Sequence, residues 1–251
     1  MEKFKKWLKN RLNGDQGYKL LHFMSRNVIA GFVIGLIYGR NLTKLAILNH
    51  TDKHKSGRHQ YMTFYQTHLK KFKYKTIKLL EIGVGGYNRA DRGGCSLRMW
   101  KRYFPYGKIF SIDIYDKSPQ EERRIKIFKG SQVDYKFLGF VLSTIGEDLN
   151  IIIDDGSHIN SHVIGSFEYL FPKLQSGGLY VVEDVQTSYR EDYGGDSFNL
   201  DNQTTIMNFF KKLTDLINCE EFAIENLSKF QVAYAIESIH FYHNLIFIQK
   251  K

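Results

Sequence analysis

From residue 77 onward, short apolar runs alternate with segments of helix length, and no other feature of the chain constrains its fold as much. The runs are Ile77–Ile82, Lys108–Ile114, Ile125–Lys129, Leu149–Asp154, Gly178–Val182 and Ile239–Gln249. Between most of them lie stretches such as SLRMWKRYF and SHVIGSFEYLFPKL. Strands that alternate with helices build βαβ units and a parallel sheet covered on both faces. The last run differs. Two β-rich pieces meet at His243-Asn244, which predicts a hairpin with a short turn. The expected fold is α/β: a doubly wound sheet, mostly parallel with a C-terminal antiparallel hairpin, plus N-terminal helices.

The 251 residues allow one large α/β domain with an appendage. Met1 to about Leu48 reads as helical, which divides the chain into a helical appendage, residues 1–48, and a second domain, residues 49–251. In MEKFKKWLKNRL, Phe4, Trp7, Leu8 and Leu12 share one helical face, ringed by Lys3, Lys5, Lys6, Lys9 and Arg11. Such a basic amphipathic helix can lie in a membrane interface. The apolar run Val28–Gly39 is too short to span a bilayer, which needs roughly 20 residues. It reads as a packed helix at an oligomer interface, with peripheral membrane contact as the second reading. The net charge of +10 suits a nucleic-acid partner, an anionic membrane, or simply a Lys-rich composition. The two cysteines, Cys95 and Cys219, are far apart and lack metal-ligand spacing, which suits a reducing, cytoplasmic compartment.

Three strand ends carry groups suited to a nucleoside ligand. LLEIGVGG places Gly83 and Gly85 directly after a buried strand, where the backbone turns tightly and approaches a ligand closely. The turn fits a dinucleotide, S-adenosylmethionine, or no ligand at all. Glu81 at the strand end is suited to the cationic part of an amino-acid ligand. Its pattern also departs from Gly-x-Gly-x-x-Gly, which weakens a nicotinamide reading. Ser96 reads as the N-cap of the next helix. Asp113 closes KIFSIDIYD, where an acid can bind two ribose hydroxyls. Ser131 and Gln132 in KGSQVD follow the third strand and can meet an adenine edge, or can be turn residues.

The fourth strand, NIIID, runs into Asp155, Gly156, Ser157 and His158. The fifth ends in Glu183-Asp184. Buried charge is costly unless paired, metal-bound or at the water's edge. Neighbouring strands bring Asp155, Glu183 and Asp184 together, and hard oxygen ligands suit Mg²⁺, Mn²⁺ or Ca²⁺. His158 stands beside them, and histidine is the side chain that changes charge near neutral pH, as a general base must. TSYREDYGGDSFNLDNQTT, Thr187 to Thr205, reads as a mobile loop over an acceptor, with Tyr189 and Tyr193 able to stack on it.

Taken together, LLEIGVGG, GGCSLRMWKRYFPYGKIFSIDIYDKS, IIIDDGSH and VVEDVQTSY resemble the metal-dependent sugar O-methyltransferases. That family includes macrolide deoxysugar methyltransferases related to the mycinamicin and tylosin enzymes, and rhamnose O-methyltransferases. Some relatives carry the name cephalosporin hydroxylase. The resemblance covers roughly Thr51 to the C-terminus, with TDK and HQYMTFY matching the family's opening segment. It implies a class I, Rossmann-like methyltransferase sheet and two cofactors, S-adenosylmethionine and Mg²⁺ or Mn²⁺. It implies metal ligation by Asp155, Glu183 and Asp184, with His158 as the catalytic base. It implies a cofactor site lined by Tyr61, Glu81, Gly83, Ser96, Asp113, Ser131, Gln132 and Asp155. The acceptor would be a sugar-containing small molecule or a glycan. The N-terminal helices fall outside the match and are shorter than the extra domain of the macrolide enzymes, which leaves acceptor and oligomeric form open.

Three rivals follow from the same residues. An RNA-directed or other small-molecule methyltransferase suits the positive charge but does not need the acid cluster. A nicotinamide-dependent oxidoreductase suits the glycine turn but not Glu81. A membrane-associated scaffold that has kept only the fold suits the N-terminus, but not the intact acids and His158.

Overall fold

The structure, a computed structural model, describes residues 26–55, 59–218, 221 and 235–251. The basic segment Met1–Leu12 and Cys219 lie outside the described residues. The described residues form two compact units. One comprises those up to Lys75 together with Gly94–Tyr106; the other comprises Thr76–Gly93 and Gly107–Lys251.

The second unit is a seven-stranded sheet. To keep strand numbers in chain order, β1 (His54–Lys55) and β2 (His59–Gln60) denote a short hairpin of the first unit. The sheet strands are β3 (Lys78–Ile82), β4 (Lys108–Asp113), β5 (Ile125–Lys129), β6 (Leu149–Asp154), β7 (Leu174–Glu183), β8 (Ile236–Tyr242) and β9 (Leu245–Lys250). Their order is β5-β4-β3-β6-β7-β9-β8. Every pairing from β5 to β7 is parallel, and β9 pairs antiparallel with both β7 and β8. The mostly parallel sheet with a C-terminal antiparallel hairpin is therefore observed, and Asn244 takes the positive φ that the hairpin turn requires. β7 begins four residues earlier than its apolar run suggests, because Leu174 already pairs with Leu149 before Leu179 pairs with Ile151. The register then slips across Gly177, whose φ is +71°.

β6 is buried along its whole length, with Ile151, Ile152 and Ile153 inaccessible to solvent. Each fully buried isoleucine contributes about 1.5–3 kcal/mol of transfer free energy. The core continues through Leu80, Ile112, Tyr180 and Ile248 on neighbouring strands to Phe167 and Phe210 on helices. This packing fixes the strand register, and with it every group at the strands' carboxyl ends.

The first unit holds α1 (Val28–Tyr38), α2 (Leu42–Asn49), α3 (Met62–Leu69) and α4 (Cys95–Tyr103). Tyr65 and Trp100 pack with ring centroids 5.0 Å apart. Gln66 donates to the Tyr103 hydroxyl at 3.2 Å and accepts from the Leu42 N–H at 2.9 Å. Burial pushes the Tyr103 phenol up to about 12, partly opposed by the Gln66 bond. Arg102 bonds Asn49 and lies against Gly31 of α1. The apolar run Val28–Tyr38 is a helix that keeps Ile29, Phe32, Val33, Leu36 and Ile37 exposed. Among the described residues no helix is long and apolar enough to cross a membrane.

Candidate active site

The glycine turn after β3 is held by its neighbour. Gly83 donates to the Ile112 carbonyl at 2.8 Å. Asp113, at the end of β4, accepts the Val84 N–H at 2.9 Å through one oxygen and the Tyr115 N–H at 2.9 Å through the other. Each oxygen keeps a lone pair for a further donor. An added Cβ on Gly85 would meet nothing within 4 Å, so the turn borders open space. Lys117, which sequence reasoning did not single out, braces the rest of the loop. Its Nζ donates to Arg89 O at 2.8 Å and Arg92 O at 3.3 Å. Burial lowers its ammonium pKa, partly offset by Asp113 and Asp91. Glu81 is fully buried at the end of β3.

Gln132 does more than the sequence suggests. Its Nε2 donates to Ser166 Oγ at 2.9 Å and approaches both Asp154 oxygens at 3.4 Å, and its Oε1 accepts the Ser157 N–H at 2.9 Å. It thus ties the turn after β5 to the end of β6 and to α6 (Asn160–Leu170). Ser131 serves its own turn, accepting the Val133 N–H at 3.3 Å. Asp134 caps α5 (Tyr135–Ile145). Ser96 does not cap α4. Gly94 holds the N-cap position in a left-handed conformation, and Ser96 is buried in the first turn. Tyr61 is buried with its hydroxyl 3.1 Å from His59 Nδ1. Tyr61 and Ser96 belong to the first unit, and the other proposed cofactor residues to the second.

At the ends of β6 and β7 the structure gathers Asp155, His158 and Asp184, with one ligand atom of each within 4.8 Å of the others. His158 Nε2 stands 3.8 Å from Asp155 Oδ1 and 3.8 Å from Asp184 Oδ2. His158 and Asp184 both adopt left-handed backbone, φ +58° and +55°. Left-handed non-glycine residues cost roughly 1–3 kcal/mol and persist where their surroundings determine them, often at functional sites. The donor set fits a hard divalent cation: two carboxylates converge from adjacent strands, half-exposed. Glu183 is placed differently. It ends β7 opposite Leu245, is buried, and stands outside that trio.

Sequence reasoning paired Asp154 with Asp155 at the strand end but gave it no role in the site. Its carboxyl is buried and accepts from Tyr180 Oη and the Gly156 N–H, each at 3.4 Å, besides Gln132. Burial raises it to about 7, opposed by these bonds and reinforced by the charge of Asp155. An acid inside an otherwise apolar strand was the available signal. The segment Thr187–Thr205 is built from two short 3-10 helices, Val185–Tyr189 and Glu191–Tyr193, followed by a turn network around Asp196, which accepts from Phe198, Asn199 and Asn202.

A sheet of this order, with a glycine turn after its central strand, is the class I methyltransferase fold. No protein-family model matches the chain. It is 42% identical over 193 residues to the mycinamicin VI 2''-O-methyltransferase of Micromonospora griseorubida, covering 76% of this chain and 48% of that protein. It is 40% identical over 211 residues to the 8-demethyl-8-alpha-L-rhamnosyl tetracenomycin-C 2'-O-methyltransferase of Streptomyces olivaceus, covering 84% and 54%. A solved structure of MycE methyltransferase from the mycinamycin biosynthetic pathway, in complex with Mg, SAH and mycinamycin VI, superposes with a TM-score of 0.79 at 39% identity, covering 84% of this chain and 53% of that one. The chain spans about half the length of the curated relatives it matches. Over that shared part, the chain is similar to macrolide and deoxysugar O-methyltransferases.

Proposed function

We propose that the chain transfers a methyl group from S-adenosylmethionine to a hydroxyl of a deoxyhexose or rhamnose-like sugar on a glycosylated natural product or glycan, with bound Mg²⁺ or Mn²⁺. The convergence of Asp155, Asp184 and His158 carries this reading. Two further facts support it: the glycine turn fastened by Asp113, and about 40% identity to methyltransferases named for sugar hydroxyls.

In this reading Asp155, Glu183 and Asp184 would hold the metal. Within the second unit, Glu81, Gly83 and Asp113 would hold the cofactor, with Ser131, Gln132 and Asp155 beside them. When bound, the metal would supply Lewis acidity and S-adenosylmethionine would supply the methyl group. His158 takes the hydroxyl proton at Nε2, the ring nitrogen turned toward the carboxylates. The remaining task of the chain is to hold acceptor oxygen, methyl carbon and base in line. His158→Ala tests this role. The expected result is a loss of turnover of about 10²-fold or more with S-adenosylmethionine binding retained. Near-full turnover in the variant removes the base assignment.

The exposed face of α1 supports a peripheral membrane contact. Ile29, Phe32, Val33, Leu36 and Ile37 follow helical spacing between Arg26 and Arg40, and Lys3, Lys5, Lys6, Lys9 and Arg11 precede them in sequence. Flotation with vesicles containing anionic lipid, lost in the pair Phe32→Ser and Leu36→Ser, is the expected outcome. Equal flotation of that pair contradicts it.

A further inference from the structure

Asn160 is 1% exposed and binds three backbone groups. Its Nδ2 donates to the Thr187 carbonyl at 3.0 Å and to the Tyr193 carbonyl at 2.9 Å, and its Oδ1 accepts the Ile206 N–H at 2.7 Å. These partners mark the beginning, middle and end of one segment. It runs from the end of β7 to the first residue of α7 (Ile206–Leu216). The Ile206 N–H belongs to a helix's first turn, where no intrahelical acceptor exists. Thr187 is in turn fixed to Asp184, whose carbonyl accepts its N–H at 3.2 Å and its hydroxyl at 3.1 Å. Asn160 stands two residues after His158. A short path of bonds therefore runs from His158 through Asn160 and Thr187 to Asp184.

We infer that Asn160 is a positioning residue for methyl transfer. It pins residues 187–206 against the start of α6 and so sets both the His158–Asp184 spacing and the acceptor-side surface that carries Tyr189. This inference rests on the methyltransferase reading given above. An apolar residue at 160 would leave two carbonyls and an N–H without these partners. An aspartate of the same shape would keep the bond to Ile206 but turn a carboxylate oxygen on two carbonyl oxygens, which repel it.

The test uses the full chain with Asn160→Asp, and Asn160→Ala as a second variant. Three quantities are read: amide hydrogen exchange across residues 185–206, affinity for S-adenosylhomocysteine, and kcat and KM for a rhamnoside acceptor. The expected result is exchange about tenfold faster in that segment alone, acceptor KM raised about tenfold with kcat lowered, and nucleoside affinity within about twofold of the parent. Three results overturn the inference: segment exchange equal to the parent's, exchange raised equally across the whole sheet, or acceptor KM unchanged. If the parent chain methylates no sugar, the methyltransferase reading fails, and the exchange data then decide whether the clamp exists.

Discussion

A Cβ placed on Gly83 would lie 2.2 Å from the carbonyl oxygen of Asp155. The turn after β3 and the strand end that carries Asp155, a proposed metal ligand, are thus in backbone contact. The Asp155 N–H also donates to the Ile82 carbonyl at 3.1 Å, one residue before the glycine. The glycine that shapes the turn proposed for the cofactor is the same glycine that lets the end of β6 close against it. Its φ of +94° is a second reason for a residue without Cβ.

Gly83→Ala is expected to destabilise the chain by about 2–4 kcal/mol, since backbone rather than a flexible side chain must move. Urea unfolding measures that loss. S-adenosylhomocysteine affinity and Mn²⁺ affinity should fall together in this variant, because one displacement disturbs both sites. A variant with parental affinity for either ligand contradicts the coupling.

Asp113→Ala removes the acceptor of the Val84 and Tyr115 N–H groups. The glycine turn then loses its fastening, and a cofactor ribose loses its carboxylate. S-adenosylhomocysteine dissociation constants should rise tenfold or more, on the order of 1.4 kcal/mol or above, with Mn²⁺ affinity nearly unchanged. Paired calorimetric titrations of the two ligands check this selectivity.

Asp154 gives a pH signature. Its folded-state pKa, about 7, lies above the ordinary carboxylate value of 3.8. The folded chain therefore binds more protons than the unfolded chain between these limits, so this group's contribution favours folding at low pH and is lost as pH rises toward 7. The slope from this one group reaches at most about 1.4 kcal/mol per pH unit. Asp154→Asn should flatten that slope, and the variant should gain relative stability above pH 7. Urea midpoints in chelator from pH 5 to 8, with parent and variant compared, give the test. Parallel profiles contradict a raised Asp154.

Much of this was legible in the residues, for physical reasons. The apolar run of β6 could only be a strand buried on both faces, and the alternation around it fixed a parallel sheet. From that sheet the convergence of Asp155 and Asp184 follows, because β6 and β7 are neighbours. What sequence did not reveal depends on side-chain direction and long-range partners. Ser96 read as a cap because serine commonly caps, but Gly94 turns the chain two residues earlier. Glu183 and Asp184 read as neighbouring acids of one site, and their different burial, with Glu183 buried at the strand end and Asp184 partly exposed beside Asp155 and His158, is a matter of side-chain direction. Gln132 and Asn160 find partners 22 to 46 positions away, a separation that local pattern does not encode.

The central claim is that this strand end is a metal-dependent site for methylating a sugar hydroxyl. Its most direct test is methyl transfer from S-adenosylmethionine to a panel of rhamnosides and deoxysugar glycosides, with Mg²⁺ and with chelator, in the parent chain and in Asp184→Asn. The account predicts transfer in the parent that chelator abolishes and Mg²⁺ or Mn²⁺ restores, and loss of at least about 10²-fold in Asp184→Asn. Transfer that survives chelator, or that goes to RNA and weakens steeply with salt, would contradict it.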